Sequence, residues 1–200
     1  MGRIKKTKNK NPLILIKCEG YPSAERIYFS NFQSRNCTIK FSTGNSTDPI
    51  GMLNELKDYM NKEDINKDNA KIFLVLDTDL NSKRIREIKG IERECNELGI
   101  QIITSSPTFE IWYLLHYRNT NLSFDTSKEV KKELRKIIKN YKETMNIYGI
   151  TNNMTDEAIK NAKIIEKRFK TDAKDNYSFT PHSYIYIILE EIKILTNDNE

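Results

Sequence analysis

The chain has 200 residues, 38% of them hydrophobic and 30% charged, with a formal net charge of +5. That suits one medium domain with a real core, or a core with a helical extension. No apolar run approaches the ~18 residues of a membrane span. The run at 13–17 that follows the basic N-terminus is too short for a signal-peptide core, so a cytoplasmic protein with no membrane segment is expected. Cys18, Cys37 and Cys95 are far apart and show no C-x-x-C spacing. This argues against structural zinc or a disulfide framework. The N-terminal stretch carries Arg3, Lys5, Lys6, Lys8 and Lys10 and no acid. It reads as a disordered basic tail over 1–11, serving either solubility or nucleic-acid contact.

After that tail, LILIK at 13–17 is a short continuous apolar run, as expected of a strand buried on both faces. Residues 22–32 read as a helix and CTIKF at 37–41 as a second strand. STGNSTDP at 42–49 is dense in turn formers and leads into a helix from Ile50 to about Asn61. KIFLVLDTD at 71–79 is the strongest strand signal, ending in two carboxylates. A charged helix follows over 83–98, capped by Gly99, and IQIIT at 100–104 is a further strand. Pro107 suits the first position of the next helix, TFEIWYLLHY, whose apolar surface on nearly all sides predicts burial. Beyond Ser127 only helices are expected. One carries Val130, Leu134, Ile137, Ile138, Tyr141 and Met145 on a stripe, and others span 156–169 and 181–195. Alternation of strand and helix over the first ~125 residues argues for a parallel sheet covered on both faces. The expected organisation is a core over 12–125 and a helical extension over 126–200 packed on it.

Three acidic positions then acquire meaning. Glu19 follows the first strand, Asp77 and Asp79 follow the third, and Glu110 opens the helix after the strand at 100–104. In a parallel sheet the C-terminal strand ends lie along one edge, where such folds place their ligands. Clustered carboxylates repel one another, and a hard cation such as Mg²⁺ or Mn²⁺ relieves that repulsion with oxygen ligation. On an extended segment Asp77 and Asp79 would point the same way and address one ion. Gly20 permits a sharp turn beside them. Each feature alone is also what a strand reaching the surface looks like; their joint occurrence carries the functional reading.

These residues resemble the Toprim catalytic domain of topoisomerases, primases and overcoming-lysogenization-defect nucleases, and more specifically the RloB-like family. An EG..TE..YF segment corresponds to Glu19-Gly20, Glu25 and Tyr28-Phe29, with Ser-Ala in place of the usual Thr before Glu25. A D-x-D corresponds to Asp77-Thr78-Asp79, and Ser105 to Tyr117 is similar to SNPCFELWLLLHF. Asn176 to Pro181 is a looser echo of NPST. The resemblance spans almost the whole chain. It implies a Toprim-like α/β fold with a mostly parallel central sheet, flanking helices and a helical C-terminal extension. It also implies a nuclease of phage-defence or restriction loci that acts on DNA or RNA beside an ABC- or AAA-type ATPase. The roles it implies are Glu19 as general acid/base and Asp77 and Asp79 as metal ligands.

Other residues keep two readings. Glu110 and Glu25 are supporting carboxylates, or, for Glu110, a helix N-terminal acid favoured by the macrodipole. His116 reads as a satisfied core histidine, with a supporting site role as the other possibility. Lys83, Arg84 and Arg86 are candidate phosphate contacts or a solvated helix face. Trp112, Tyr113 and Tyr117 suit stacking on bases or a core. With no Walker A, G-x-G-x-x-G or G-x-S-x-G motif, P-loop, dinucleotide and α/β-hydrolase chemistry are not indicated. The expectation is a Mg²⁺- or Mn²⁺-dependent nuclease. The alternatives are a nucleic-acid or nucleotide-binding regulatory module that does not cut, and a nucleotidyl-transferring domain.

Overall fold

The computed structural model describes residues 11–20, 22–118, 123–169 and 175–197. The expected basic tail, apart from Asn11, lies outside the described residues.

The elements run in chain order as β1 (Leu13–Lys17), α1 (Ala24–Ser30), β2 (Thr38–Phe41), α2 (Pro49–Glu63), β3 (Lys71–Asp77), α3 (Ser82–Leu98) and β4 (Ile100–Ser106). They continue as α4 (Glu110–Leu115), α5 (Ser127–Ile137), α6 (Tyr148–Thr151), a 3₁₀ turn at Asn152–Met154, α7 (Thr155–Phe169), β5 (His182–Ser183) and α8 (Ile185–Asn197). The sheet order is β2-β1-β3-β4-β5. β1 to β4 are parallel and β5 is antiparallel to β4. The mixed α/β fold with a mostly parallel sheet and flanking helices is therefore as expected.

The strand period of two sorts the core onto the two faces of this sheet. Ile14, Ile16, Phe73, Val75 and Ile103 pack with α1, α4, α5, α7 and α8. Leu15, Ile72, Leu74, Leu76 and Ile100 pack with α2 and α3. Because both faces are covered, the central strands β1 and β3 carry unbroken apolar runs, Leu13–Ile16 and Ile72–Leu76, rather than alternating. The first of these clusters runs from Ile14 to Ile192, so α5, α7 and α8 bury their apolar sides against the same sheet face as α1. α4 is buried on all sides, from Glu110 to Leu115, as its apolar surface predicts.

Four local expectations are corrected. Pro107 does not start α4. Thr78 N–H donates to the Ser105 carbonyl and Asp79 N–H to the Pro107 carbonyl, so residues 105–107 extend the β3–β4 pairing. The helix is thereby delayed to Glu110. The strand at 71–79 ends at Asp77, because Asp79 takes a left-handed φ of 52°. The stripe through Met145 breaks after α5: Ile138 is extended and Asn140 is left-handed, at φ 62°. This turn sends Tyr141 inward and leaves Met145 exposed. Finally, the C-terminal part is not all helix, since His182–Ser183 adds β5 to the sheet edge. Among the described residues no helix is long and apolar enough to cross a membrane.

Candidate active site

The parallel register brings the carboxylates together. Lys17 of β1 lies level with Leu74 of β3, and Asp77 of β3 lies level with Ser105 of β4. Glu19, Asp77 and the β4–α4 turn therefore emerge at one sheet edge. A cavity of about 270 Å³ opens there, lined by Glu19, Gly20, Glu25, Asp77, Thr108 and Glu110, with Lys131 and Glu143 also in its wall. Gly20 has a left-handed φ of 68° at the turn after Glu19, a conformation that costs glycine little. Glu25 is brought in by α1. Ser23 caps that helix by accepting the Arg26 N–H, which sets Glu25 in the first turn facing the cavity.

The site is more acidic and drier than the strand-end motif alone implies. Glu25 is 7% exposed and Glu110 is 2% exposed. Burial pushes the Glu25 pKa up to about 7, with the charges of Glu110 and Glu19 adding to the rise. Burial also raises Asp77 well above the usual carboxylate range, reinforced by Glu25, Glu110, Asp79 and Glu19. Thr108 Oγ1 lies 3.0 Å from Asp77 Oδ2 and 2.7 Å from Glu110 Oε2. A hydroxyl has one hydrogen to donate. Bonding both carboxyl groups thus requires a proton on one of them, in keeping with the raised Asp77 pKa. Asp77 Oδ1 is buried with no hydrogen-bond partner. Tyr141 donates to Glu110 Oε1 at 3.1 Å, and Lys131 Nζ lies 3.7 Å from the same oxygen and 2.5 Å from Glu143.

Arg84 is the counter-ion of this edge. Its Nη2 pairs with Glu19, and Nε lies 3.6 Å from Asp79 Oδ2. The guanidinium also holds backbone: Nε donates its hydrogen to the Asp77 carbonyl at 2.5 Å, and Nη1 donates to the Thr47 carbonyl at 2.7 Å. Burial raises the Glu19 pKa, against the lowering effect of Arg84.

Glu19, Gly20, Glu25, Asp77 and Glu110 are brought together. Asp79 stands at the rim, about half exposed and facing Arg84. Its left-handed backbone removes the extended geometry from which a shared direction with Asp77 was expected. Lys83 and Arg86 are exposed on α3, and Lys83 pairs with Glu87 at 3.6 Å. His116 is buried; Nδ1 meets the Trp112 carbonyl at 2.9 Å, and burial lowers its pKa to about 4. It belongs to the core, as do Trp112 and Tyr113. Among the described residues, no three His, Cys, Asp or Glu side chains are grouped as a ready-made metal-ligand set.

Thr108, Tyr141, Lys131 and Glu143 were not singled out by sequence. Thr108 lies two residues before Glu110, a spacing that a β4–α4 turn makes meaningful. The other three depend on how α5 and its following turn pack against α4, which leaves no sequence signal.

No curated protein and no solved structure matches the chain significantly. The family model described as RloB-like protein matches residues 14–192, a span that includes every residue of the carboxylate cavity. The chain belongs to the RloB-like family.

Proposed function

We propose that the chain is a Mg²⁺- or Mn²⁺-dependent nuclease of Toprim type, hydrolysing phosphodiester bonds of DNA or RNA at the Glu19/Glu25/Asp77/Glu110 cavity. The observation that carries this reading is the unpartnered, buried Asp77 Oδ1, beside carboxylates whose charges add to the rise that burial imposes on the Asp77 pKa. Such a set disfavours full ionisation without a cation. Hard oxygen donors suit Mg²⁺ or Mn²⁺, and Mg²⁺ commonly uses only one or two carboxylates plus waters and substrate phosphate. Asp77 would hold the ion, with Glu19, Glu25 or Glu110 beside it and Asp79 at the rim. A bound divalent ion supplies Lewis acidity at a phosphoryl oxygen and lowers the pKa of a coordinated water.

The chain's own groups divide the remaining work. Glu25, with a pKa near 7, is suited to accept a proton from an attacking water at neutral pH. Glu19 is the other proton acceptor on the cavity wall. Thr108 and Tyr141 fix the Asp77 and Glu110 carboxyl groups. Gly20 leaves room for a phosphate, and Arg84, with Lys83 and Arg86 further out, offers positive charge beside it. Cytoplasmic action in a phage-defence or restriction setting, with an ATPase partner, follows from the family resemblance.

The second reading is a nucleic-acid or nucleotide-binding regulatory module that does not cut. The pairing of Arg84 with both Glu19 and Asp79 favours it, because that arrangement neutralises part of the acidic edge without a metal. The deciding experiment offers plasmid DNA and transfer RNA to the purified chain with Mn²⁺ or Mg²⁺, alone and with its candidate ATPase, beside an Asp77→Asn/Asp79→Asn variant. Cleavage by the wild type only establishes the nuclease. Binding without cleavage in either setting establishes the module.

A further inference from the structure

α5 and the turn after it are unusually cationic. Residues 128–142 carry Lys128, Lys131, Lys132, Arg135, Lys136, Lys139 and Lys142 against Glu129 and Glu133. Lys131 and Lys136 are taken up by ion pairs, to Glu143 and Glu133. Lys128, Lys132, Lys139 and Lys142 are exposed and have no ion-pair partner among the described residues. A solvated helix usually intersperses its charges, whereas here the positive charge is concentrated where the chain leaves the helix.

That charge also lines a concavity. Arg135, Lys139, Asn140, Tyr141 and Lys142 surround an open cavity of about 570 Å³ with no acid in its wall. Its shape follows from the left-handed Asn140, which folds the chain back on the end of α5, and from Arg135, whose Nε donates to the Tyr141 carbonyl at 3.4 Å. Tyr141 connects this cavity to the carboxylate site, since its hydroxyl donates to Glu110. Lys131, one turn before Arg135 on α5, stands in the wall of the carboxylate cavity itself. The cationic end of α5 therefore adjoins the acidic cavity, with the Lys131–Glu143 ion pair standing between them.

We infer that the α5 C-terminus and the 138–142 turn form a phosphate-backbone track that binds a nucleic-acid strand and leads it to the carboxylate cavity. This rests on the nuclease reading for its orientation, but not for its binding chemistry. Lys139 and Lys142 neutralise strand phosphates, Asn140 adds a neutral donor, and the Lys131–Glu143 pair marks where the track meets the carboxylates. Contacts of this kind are independent of base sequence and depend on salt through counterion release.

The test measures binding in EDTA, so that no cleavage occurs. A labelled single-stranded DNA, its duplex and an RNA of the same sequence are titrated with wild type, Lys139→Ala/Lys142→Ala, and the remote control Lys160→Ala. Melting temperature is followed for each protein to confirm folding. The double variant is expected to bind about tenfold or more weakly. Its log K against log salt slope should be shallower by about 1.4 to 1.8, the loss of two phosphate contacts at ~0.7–0.9 each. The three ligands distinguish which polymer the track accepts. Equal affinity and slope for the double variant and wild type would overturn the track, as would absence of binding by the wild type to all three. Failure of the nuclease reading appears separately, as a lack of metal-dependent cleavage by a protein that still binds.

Discussion

The hydroxyl of Thr108 lies 3.0 Å from Asp77 Oδ2, while the other oxygen of Asp77 is buried without a partner. One carboxylate is thus half satisfied in a cavity that contains four others, Glu19, Glu25, Glu110 and Glu143. Replacing it by a neutral isostere should help the metal-free fold. Asp77→Asn is expected to raise the melting temperature of the metal-free protein by several degrees, equivalent to about 1–2 kcal/mol at 2–4 °C per kcal/mol. Calorimetry in EDTA checks this. A lower melting temperature would mean that the carboxyl group is already well compensated.

The same cluster sets a pH dependence. Glu25 has a folded-state pKa raised from 4.5 to about 7, so the native state binds more protons than the unfolded chain across that interval. Its favourable contribution is complete below about pH 4.5 and is lost as pH rises through about 7. Asp77, raised in the same direction, adds to the loss. Thermal shift by Mn²⁺ should therefore be larger at pH 8 than at pH 5, since metal binding competes with those protons. Glu25→Gln should flatten this difference. An equal shift at both pH values would contradict it.

Arg84 holds Glu19, Asp79 and the Asp77 and Thr47 carbonyls together. Arg84→Ala is expected to cost about 1–3 kcal/mol of metal-free stability, because carbonyls and carboxylates lose their donor. It should also shift the Mn²⁺ titration midpoint several-fold lower, since the competing charge is gone. Urea unfolding and a Mn²⁺ thermal-shift series measure the two effects. A midpoint shifted to higher Mn²⁺ would show that Arg84 supports ion binding rather than competing with it.

Lys17, 1% exposed in β1, donates to Glu55 at 2.7 Å and to the carbonyls of Thr43 and Gly44 at 3.1 Å. Glu55 in turn accepts the Asn45 and Ser46 N–H groups, fixing the loop that leads to Thr47. Glu55→Gln leaves a buried ammonium without its partner and should cost about 3–5 kcal/mol, most of it regained in Lys17→Met/Glu55→Gln. Denaturant midpoints of the single and double variants decide this.

His182 is held between the Thr104 hydroxyl at 2.9 Å and the Phe179 carbonyl at 2.7 Å, and burial lowers its pKa to about 4, as it does for His116. Neither imidazole should titrate above pH 5 in the folded protein. Both therefore contribute stability that is lost as pH falls from about 6.5 towards 4. Histidine ring resonances followed by NMR from pH 8 to 5 should stay fixed; a midpoint near 6.5 would place either ring in water.

Much of this was legible in the chain. The strands at 13–17 and 71–77 announce themselves by unbroken apolar runs, and parallel pairing then obliges Glu19 and Asp77 to share an edge. Gly99 ends α3 as its conformation requires. What escaped was non-local. The D-x-D spacing predicts an extended Asp79, whereas the residue is left-handed and its N–H pairs with the Pro107 carbonyl. The helical stripe through Met145 is sound as a pattern, yet Asn140 breaks it and turns Tyr141 toward Glu110. Lys131 and Glu143 look like ordinary surface charges until α5 is docked on α4.

The nuclease reading requires that the carboxylate cavity cut a phosphodiester bond with a divalent cation. The most direct measurement is single-turnover cleavage of labelled DNA and RNA with Mn²⁺ by the chain, alone and with the proposed ATPase partner, comparing wild type with Asp77→Asn. Metal-dependent cleavage is expected of the wild type, and for the variant a loss of about a hundredfold or more, equivalent to about 2.7 kcal/mol in the barrier. Equal cleavage by the two proteins, or none by the wild type on either polymer, would contradict it.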